Sequence, residues 1–135
     1  MTFAPRVAQA FNHSRWVPLG YSRKFWYDDE LSMAVESITT PRSGKRIYSD
    51  PNQLALVRGK RVLIVDDAVS SGCTLVQTWD LLTQWGVEVL GAVVAMRQGN
   101  KWRTALGEAR ASQKQGVFES PLLEWRGDGW WPTKN

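Results

Sequence analysis

The sequence has few of the residues that hold small stapled or metal-bound proteins together. It contains one cysteine, Cys73, and one histidine, His13. A single thiol cannot form an internal disulfide, and one cysteine with one histidine cannot build a structural zinc site. The sequence therefore excludes disulfide scaffolds and zinc modules.

Long apolar runs are also missing. No stretch approaches the roughly 20 consecutive apolar residues of a membrane-spanning helix, and residues 1–13 lack the pattern of a secretory signal peptide. The chain has 135 residues, of which 43% are hydrophobic, which is near the size of one compact domain. We expect a single domain over residues 1–135 that is cytoplasmic and does not contact a membrane.

The charge is only mildly one-sided. There are 17 Lys and Arg residues against 13 Asp and Glu, a net charge of +4. Such an excess suits anionic small molecules as well as nucleic acid, so it does not choose between them. The densest basic group, Arg42, Lys45 and Arg46, flanks a predicted turn and is more typical of a solvated tip than of a nucleic-acid site.

Between residues 61 and 96 the apolar pattern predicts a βαβ unit. Residues 62–65 are a continuous aliphatic run, typical of a parallel strand that is buried on both faces. Residues 74–85 carry apolar side chains at helical spacing before Gly86, and residues 87–96 form a second apolar run. A strand, a helix and a strand in this order predict an α/β fold with a parallel sheet.

The rest of the chain gives weaker signals, and the segment 21–30 is interpreted as a loop. The other predicted elements are a helix at 3–12, a strand at 16–19, a hairpin formed by 33–38 and 45–49, a helical turn at 53–58, a helix at 102–110 and a strand at 116–124.

The residues that carry chemistry follow the first strand of the βαβ unit. Asp66 and Asp67 end the aliphatic run, and a loop of small residues leads into the helix. Ligands of open α/β sheets bind at this edge, and a small-residue loop before a helix suits a phosphate monoester. The two acids are placed to accept hydrogen bonds from ribose hydroxyls or to hold Mg²⁺, directly or through water. The candidate phosphate loop is Ala68, Val69, Ser70, Ser71, Gly72, Cys73 and Thr74.

Other phosphate-binding motifs do not fit this segment. A P-loop needs a lysine, and none lies between Lys60 and Lys101. A dinucleotide fingerprint needs three glycines, and the loop has only Gly72. A receiver domain needs a later aspartate, and none occurs between Asp80 and Asp128. The remaining alternative is an ordinary strand-to-helix turn in which the two acids only cap the helix.

The segment 62–74 resembles the phosphoribosyl-pyrophosphate (PRPP) binding signature of the type I phosphoribosyltransferases. Ala68 departs from it, since a larger aliphatic residue is usual there. The resemblance implies a mostly parallel sheet flanked by helices, a homodimer, and Mg²⁺ as cofactor. It also implies that ribose 5-phosphate passes from PRPP to a nitrogenous base with release of pyrophosphate, with Asp66 and Asp67 as catalytic residues.

The resemblance also suggests which residues would contact the pyrophosphate of PRPP and which would contact the acceptor base. By analogy, Arg23 and Lys24 would meet pyrophosphate, and Lys101, Trp102 and Phe118 would belong to the hood that binds the base. For the two aromatic residues the alternative is a place in the core or in a dimer interface.

The acceptor base is left open by the sequence. Enzymes of this family that act on 6-oxopurines have an aspartate where this chain has Ser70. In those enzymes the aspartate assists proton movement at the base. Serine cannot act as a base near neutral pH, so the sequence disfavours hypoxanthine and guanine as acceptors by that mechanism. Adenine-like, pyrimidine-like and unconventional acceptors remain open.

Two further expectations concern the protein as a whole. The rival to an enzyme is a non-catalytic regulator that senses PRPP with the same loop and binds nucleic acid or a protein.

In the family, a central strand and a pyrophosphate loop precede the helix that corresponds to residues 3–12, whereas this chain begins directly before that helix. We therefore expect an N-terminally shortened domain that lacks the central strand and turns over poorly. Nucleic acid is not expected as a partner of the enzyme.

Overall fold

The computed structural model describes residues 3–20, 32–34, 46–48 and 50–133. The predicted loop at 21–30 and the basic residues Arg42 and Lys45 lie outside this part of the chain, whereas Arg46 is the first residue of a strand. The elements follow in the order α1 (Phe3–Ala10), β1 (Ser32–Ala34), β2 (Arg46–Tyr48), α2 (Pro51–Val57), β3 (Arg61–Val69), α3 (Cys73–Gln84), β4 (Glu88–Gln98), α4 (Lys101–Ser112), β5 (Lys114–Ser120), β6 (Leu123–Trp125) and β7 (Trp130–Pro132).

Strands β3, β4 and β5 form a parallel sheet in that order. Helix α3 connects the first two strands and helix α4 connects the next two, so two βαβ units follow one another. This confirms the predicted α/β fold. Among the described residues β3 lies at one edge of the sheet, where helix α1 contacts it.

The core lies between the sheet and helix α3. The apolar face of this helix places Leu75, Trp79 and Leu82 in one buried cluster with Ala92 and Val94 of β4, which are both 0% exposed. Helix α3 also contacts α4 and β4. The core thus supports the carboxyl ends of β3 and β4 from one side.

Strand β3 is longer than its apolar run. The ladder with β4 continues past Asp66 to the pairs Ala68↔Met96 and Val69↔Arg97. Backbone pairing does not require apolar side chains, and β4 is long enough to continue the ladder. The expectation that the loop starts at Ala68 is therefore wrong, since only residues 70–72 connect β3 to α3.

The predicted strand at 16–19 is also wrong. Residues 15–19 have no regular secondary structure, and the Trp16 side chain is exposed. Pro18 lies within this apolar run, and proline has no N–H to donate to a neighbouring strand. The hairpin prediction is confirmed, because β1 and β2 pair antiparallel with Met33 opposite Ile47.

The predicted strand at 116–124 is two strands. Strand β5 ends at Ser120, Pro121 follows, and β6 pairs antiparallel with β7 instead of continuing the parallel sheet. Trp125 and Trp130 face each other across this second hairpin, with ring centroids 5.8 Å apart, and both are exposed. Of the described helices, none is long and apolar enough to cross a membrane.

Candidate active site

The two acids predicted from the sequence lie near the carboxyl end of β3. The backbone N–H of Asp67 donates to Asp66 Oδ1 at 2.9 Å, and the N–H of Ala68 donates to Asp67 Oδ1 at 2.8 Å. Each carboxylate is thus held by the next residue along the strand. The Asp67 side chain is exposed and Asp66 is half-buried, so this edge of the sheet presents carboxylate oxygens to a ligand.

The Asp66 carboxyl has an unusual pKa. Burial, joined by the neighbouring charge of Asp67, raises the pKa of Asp66 from 3.8 to about 6, while the backbone N–H of Asp67 acts in the opposite direction. Two adjacent carboxylates in a partly buried place repel each other. A bound cation or a hydroxyl donor from a ligand would relieve this repulsion.

The loop after β3 is shaped by a glycine in the left-handed region. Gly72 is the N-cap of α3 with φ 86° and ψ −11°, and it has no side chain of its own to cap the first turn of this helix. The Ser71 hydroxyl accepts from the N–H of Cys73 at 3.2 Å. The N–H groups of the first turn and the positive end of the helix dipole therefore face the loop, where they suit an anion.

Gly72 has a second role that the sequence did not indicate. A Cβ at this position would lie 3.0 Å from Trp102 Cα and 3.1 Å from Ala105 Cβ. Helix α4 thus packs directly against the loop, and the absence of a side chain permits both this contact and the positive φ. The loop is supported from behind by α4.

The predicted phosphate loop is partly corrected by the structure. Ala68 and Val69 belong to β3, and the Val69 side chain lies in the core. Ser70, Ser71 and Gly72 form the connection itself, while Cys73 and Thr74 are the first residues of α3, which the structure also brings to this edge.

One of the residues predicted for the base hood does not face solvent. Trp102 is 2% exposed and its Nε1 donates to Gly99 O at 2.8 Å, so its ring belongs to the core. Lys101 begins α4 and Phe118 lies in β5, and both are exposed. Arg23 and Lys24, predicted for pyrophosphate, lie outside the described residues.

Sequence reasoning missed the polar residues at the ends of β4 and β5. Arg97 and Glu119 are register partners, and Arg97 Nη2 lies 2.9 Å from Glu119 Oε1. They line a cavity of about 230 Å³ together with Gly99, Asn100, Ser120 and Pro121. The sequence did contain a signal for Arg97, because this residue directly follows the second predicted strand. Ligands of parallel sheets bind at the carboxyl ends of strands, as was argued for Asp66.

Known proteins resemble this chain in sequence and in fold. A family model described as "Phosphoribosyl transferase domain" matches residues 1–118. The chain belongs to the phosphoribosyl transferase domain family. The matched residues contain the acid pair and the loop, whereas the hairpin of β6 and β7 lies beyond them.

The relatives of this chain and its structural neighbours are named for different purine bases. A protein named hypoxanthine/guanine phosphoribosyltransferase from Methanothrix soehngenii is 44% identical over 84 residues, which are 62% of this chain and 42% of that protein. The chain therefore spans less than half the length of this relative.

Two solved structures are similar in fold. An adenine phosphoribosyltransferase from Rhodothermus marinus has a TM-score of 0.65 at 24% identity, over 85% of this chain and 61% of that chain. The enzyme from Giardia lamblia, in complex with 9-deazaadenine, has a TM-score of 0.69 at 18% identity, over 87% of this chain and 63% of that chain. These likenesses confirm the phosphoribosyltransferase-like fold.

Proposed function

We propose that this domain binds PRPP and transfers its ribose 5-phosphate to a nitrogenous base, with release of pyrophosphate. The observation that carries the proposal is the closeness of two features at one sheet edge. The acid pair of β3 is separated by only a few residues from the first turn of α3, whose N-cap residue Gly72 has no side chain. A sugar phosphate needs both, because its phosphate is an anion and its hydroxyls are hydrogen-bond donors.

The phosphate would bind at residues 70–74. The first-turn N–H groups of α3 and the hydroxyls of Ser70, Ser71 and Thr74 are donors on one short segment. The N–H of Cys73 is held by Ser71 Oγ, so a bound phosphate would compete with that hydroxyl for the same donor. A helix that begins at the loop places this binding site at a fixed distance from β3.

The ribose would lie over Asp66 and Asp67. Their carboxylates accept hydrogen bonds from vicinal hydroxyls, and charge-assisted hydrogen bonds are the stronger kind. Positive charge develops at the anomeric carbon as the bond to pyrophosphate lengthens. Negative charge on the two acids would stabilise that charge, so the contribution of the site is positioning and electrostatics.

The acid pair also fits the magnesium ion that this chemistry needs. Adjacent carboxylates suit Mg²⁺, which keeps several waters and takes substrate oxygens as ligands. Among the described residues no third acid, histidine or cysteine joins the pair in a cluster, which agrees with an ion held mainly by substrate and water. When bound, the ion would neutralise the pyrophosphate leaving group.

The acceptor is proposed to be a nucleobase. The named relatives support a purine, since one is a hypoxanthine/guanine enzyme and the structural neighbours are adenine enzymes. Ser70 stands where the 6-oxopurine enzymes have an aspartate, which favours adenine over hypoxanthine and guanine.

A homodimer and a cytoplasmic location complete the proposal. Light scattering tests the first of these two parts, and cell fractionation tests the second.

The decisive experiment measures pyrophosphate release from PRPP with a panel of bases and Mg²⁺. We expect release with at least one base, adenine before hypoxanthine, and a roughly 10- to 100-fold loss of kcat/KM in Asp67→Asn, the cost of a lost charge-assisted hydrogen bond. Asp80→Asn is the matched control, because Asp80 pairs with Arg110 on helices α3 and α4. PRPP binding without release for any base would favour the non-catalytic sensor, and absence of binding would overturn both.

A further inference from the structure

Lys114 is a buried cation that the proposed reaction does not use. It is the first residue of β5 and only 5% exposed, and among the described residues its Nζ has no hydrogen-bond partner. A buried ammonium without an acceptor is costly, because it has lost its water and gained no hydrogen bond. Such residues are concentrated at functional sites, which makes the neighbours of Lys114 informative.

The contact of Lys114 is with the ring of Trp102. The ammonium nitrogen lies 3.1 Å from the ring centroid, the arrangement of a cation–π contact. Trp102 is 2% exposed, and its Nε1 donates to Gly99 O at 2.8 Å. A cation–π contact is strongest where water is excluded, as it is around this ring. The ring is thus fixed at its edge by Gly99 and over its face by Lys114.

The backbone of Trp102 contacts the loop that is proposed to bind phosphate. A Cβ on Gly72 would lie 3.0 Å from Trp102 Cα and 3.2 Å from Trp102 Cβ. There is no room for even a methyl group between the two residues, so a displacement of Trp102 is passed on to Gly72. Gly72 is the N-cap of α3, and its position sets the first N–H groups of that helix. One residue, Trp102, therefore connects Lys114 to the proposed phosphate site.

The charges around Lys114 mostly oppose its ammonium form. Arg97 of β4 and Arg103 of α4 repel it, whereas Glu119 of β5 attracts it. Burial first, then the charges of the two arginines, lowers the pKa of Lys114 to about 8, and Glu119 opposes this shift. Glu119 is itself paired with Arg97, Oε1 to Nη2 at 2.9 Å. Lys114 therefore loses its charge at a pH at which an exposed lysine keeps it.

We propose that Lys114 is a positioning residue for the phosphate loop. Its ammonium holds the Trp102 ring, and Trp102 in turn holds Gly72 where the first turn of α3 binds phosphate. As a role in PRPP binding, this inference rests on the proposed function. Lys114 acts through Trp102 and touches no reacting atom, so its loss weakens binding and leaves the chemical step unchanged.

The first experiment follows the coupling without any ligand. The ring C–H signals of Trp102 and the Gly72 Cα signal are recorded by ¹³C NMR from about pH 6.5 to about pH 9.5, since carbon-bound protons do not exchange with water. We expect both signals to shift in the wild type with one midpoint near pH 8, and neither to show it in Lys114→Met. Absence of the midpoint in the wild type, or a ring that titrates while Gly72 does not, overturns the proposal.

The second experiment measures PRPP binding and turnover. Lys114→Met keeps the length of the side chain and removes the charge. At about pH 7 it should raise the KM for PRPP roughly three- to tenfold, the worth of a desolvated cation–π contact, and change kcat by less than about twofold. Lys60→Met is the matched control, because it removes the same charge from an exposed residue before the amino end of β3, at the other end of the strand from the loop.

The pH profile separates positioning from stability. Calorimetry gives the Kd of PRPP for the wild type and Lys114→Met, and the ratio of the two values should approach one above pH 8, where both proteins lack the charge. Groups common to both proteins, the Cys73 thiol among them, cancel in this ratio. Lys114→Arg keeps its charge at every pH of the series, so it should match the wild type at about pH 7 and bind PRPP more tightly above pH 8.

The outcomes that overturn the inference are distinct from those that overturn the proposed function. Equal PRPP affinity in the wild type and Lys114→Met at about pH 7, an affinity ratio that does not change with pH, or an equal loss in Lys60→Met overturns the inference alone. A wild type that binds no PRPP overturns the proposed function and, with it, this role. The ligand-free titration keeps the two failures apart, because it uses no PRPP.

Discussion

Gly72 and Trp102 are in contact through their backbones, since a Cβ on residue 72 would stand only 3.0 Å from Trp102 Cα. The loop that is proposed to bind phosphate and helix α4 therefore pack as one unit. Gly72 also has φ 86°. Space and backbone conformation thus both exclude a side chain at this position.

Gly72→Ala tests this contact. We expect the free energy of unfolding to fall by about 2–5 kcal/mol, the sum of left-handed strain and overpacking. Gly86→Ala is the control, since Gly86 has φ 73° but nothing within 4 Å of a Cβ, and should lose about 1–2 kcal/mol. Urea denaturation measures both values. Equal losses would show that helix α4 yields to the added methyl group.

The Asp66 carboxyl predicts a pH dependence of stability. Its pKa is about 6 in the folded protein and 3.8 in the unfolded chain, so the folded state holds the proton more tightly. This contribution is present below about pH 4 and is lost as the pH rises through 6. Asp66→Asn should therefore gain on the order of 1–2 kcal/mol relative to the wild type between pH 4 and pH 7, after allowance for solvent screening.

Urea denaturation of both proteins at several pH values measures that difference. Asp80→Asn serves as the control, because Asp80 lies on helix α3 and pairs with Arg110 instead of lying beside a second carboxylate. Mg²⁺ should shrink the gain if the acid pair binds it, since a cation stabilises the ionised form. A constant difference across the pH range would contradict the raised pKa of Asp66.

Lys114 predicts the opposite dependence at high pH. Its pKa falls from 10.5 in the unfolded chain to about 8 in the folded protein, so the unfolded state binds the proton more tightly. The wild type should gain stability as the pH rises from 8 to 10.5. Lys114→Met should be more stable than the wild type at pH 7, by about 1–3 kcal/mol.

Thermal unfolding in phosphate-free buffer checks this prediction. Lys101→Met is the matched control, because Lys101 is exposed at the start of α4 and its loss should change stability by no more than about 0.5 kcal/mol. A Lys114→Met variant that is less stable than the wild type would mean that the ammonium contact with the Trp102 ring outweighs the cost of burial.

Cys73 is expected to be replaceable. Its N–H donates to Ser71 Oγ at the start of α3, and any residue with a backbone N–H can make this bond. Cys73→Ser should therefore retain most of the pyrophosphate release, within about threefold in kcat/KM. A folded variant without activity would show that the thiol takes part in the chemistry, which the proposed mechanism does not use.

Local patterns predicted the centre of this fold well. The aliphatic run of β3, the helical spacing of α3 and the glycine after it were all visible in the sequence, because each depends on neighbours along the chain. The predicted strand at 16–19 was wrong because Pro18, within an otherwise apolar run, has no N–H to donate to a neighbouring strand. Local signals were thus sufficient only where they agreed.

By itself the sequence determined the βαβ unit, the acid pair of Asp66 and Asp67 and the loop that follows it. Only the tertiary structure decided that Arg97 meets Glu119, that Lys114 lies on Trp102, and that Trp102 is core rather than hood. The acid pair and the loop are contiguous, so covalent connection sets their spacing. Contacts between β4, α4 and β5 join residues that are distant in the sequence, and packing and strand register alone bring them together.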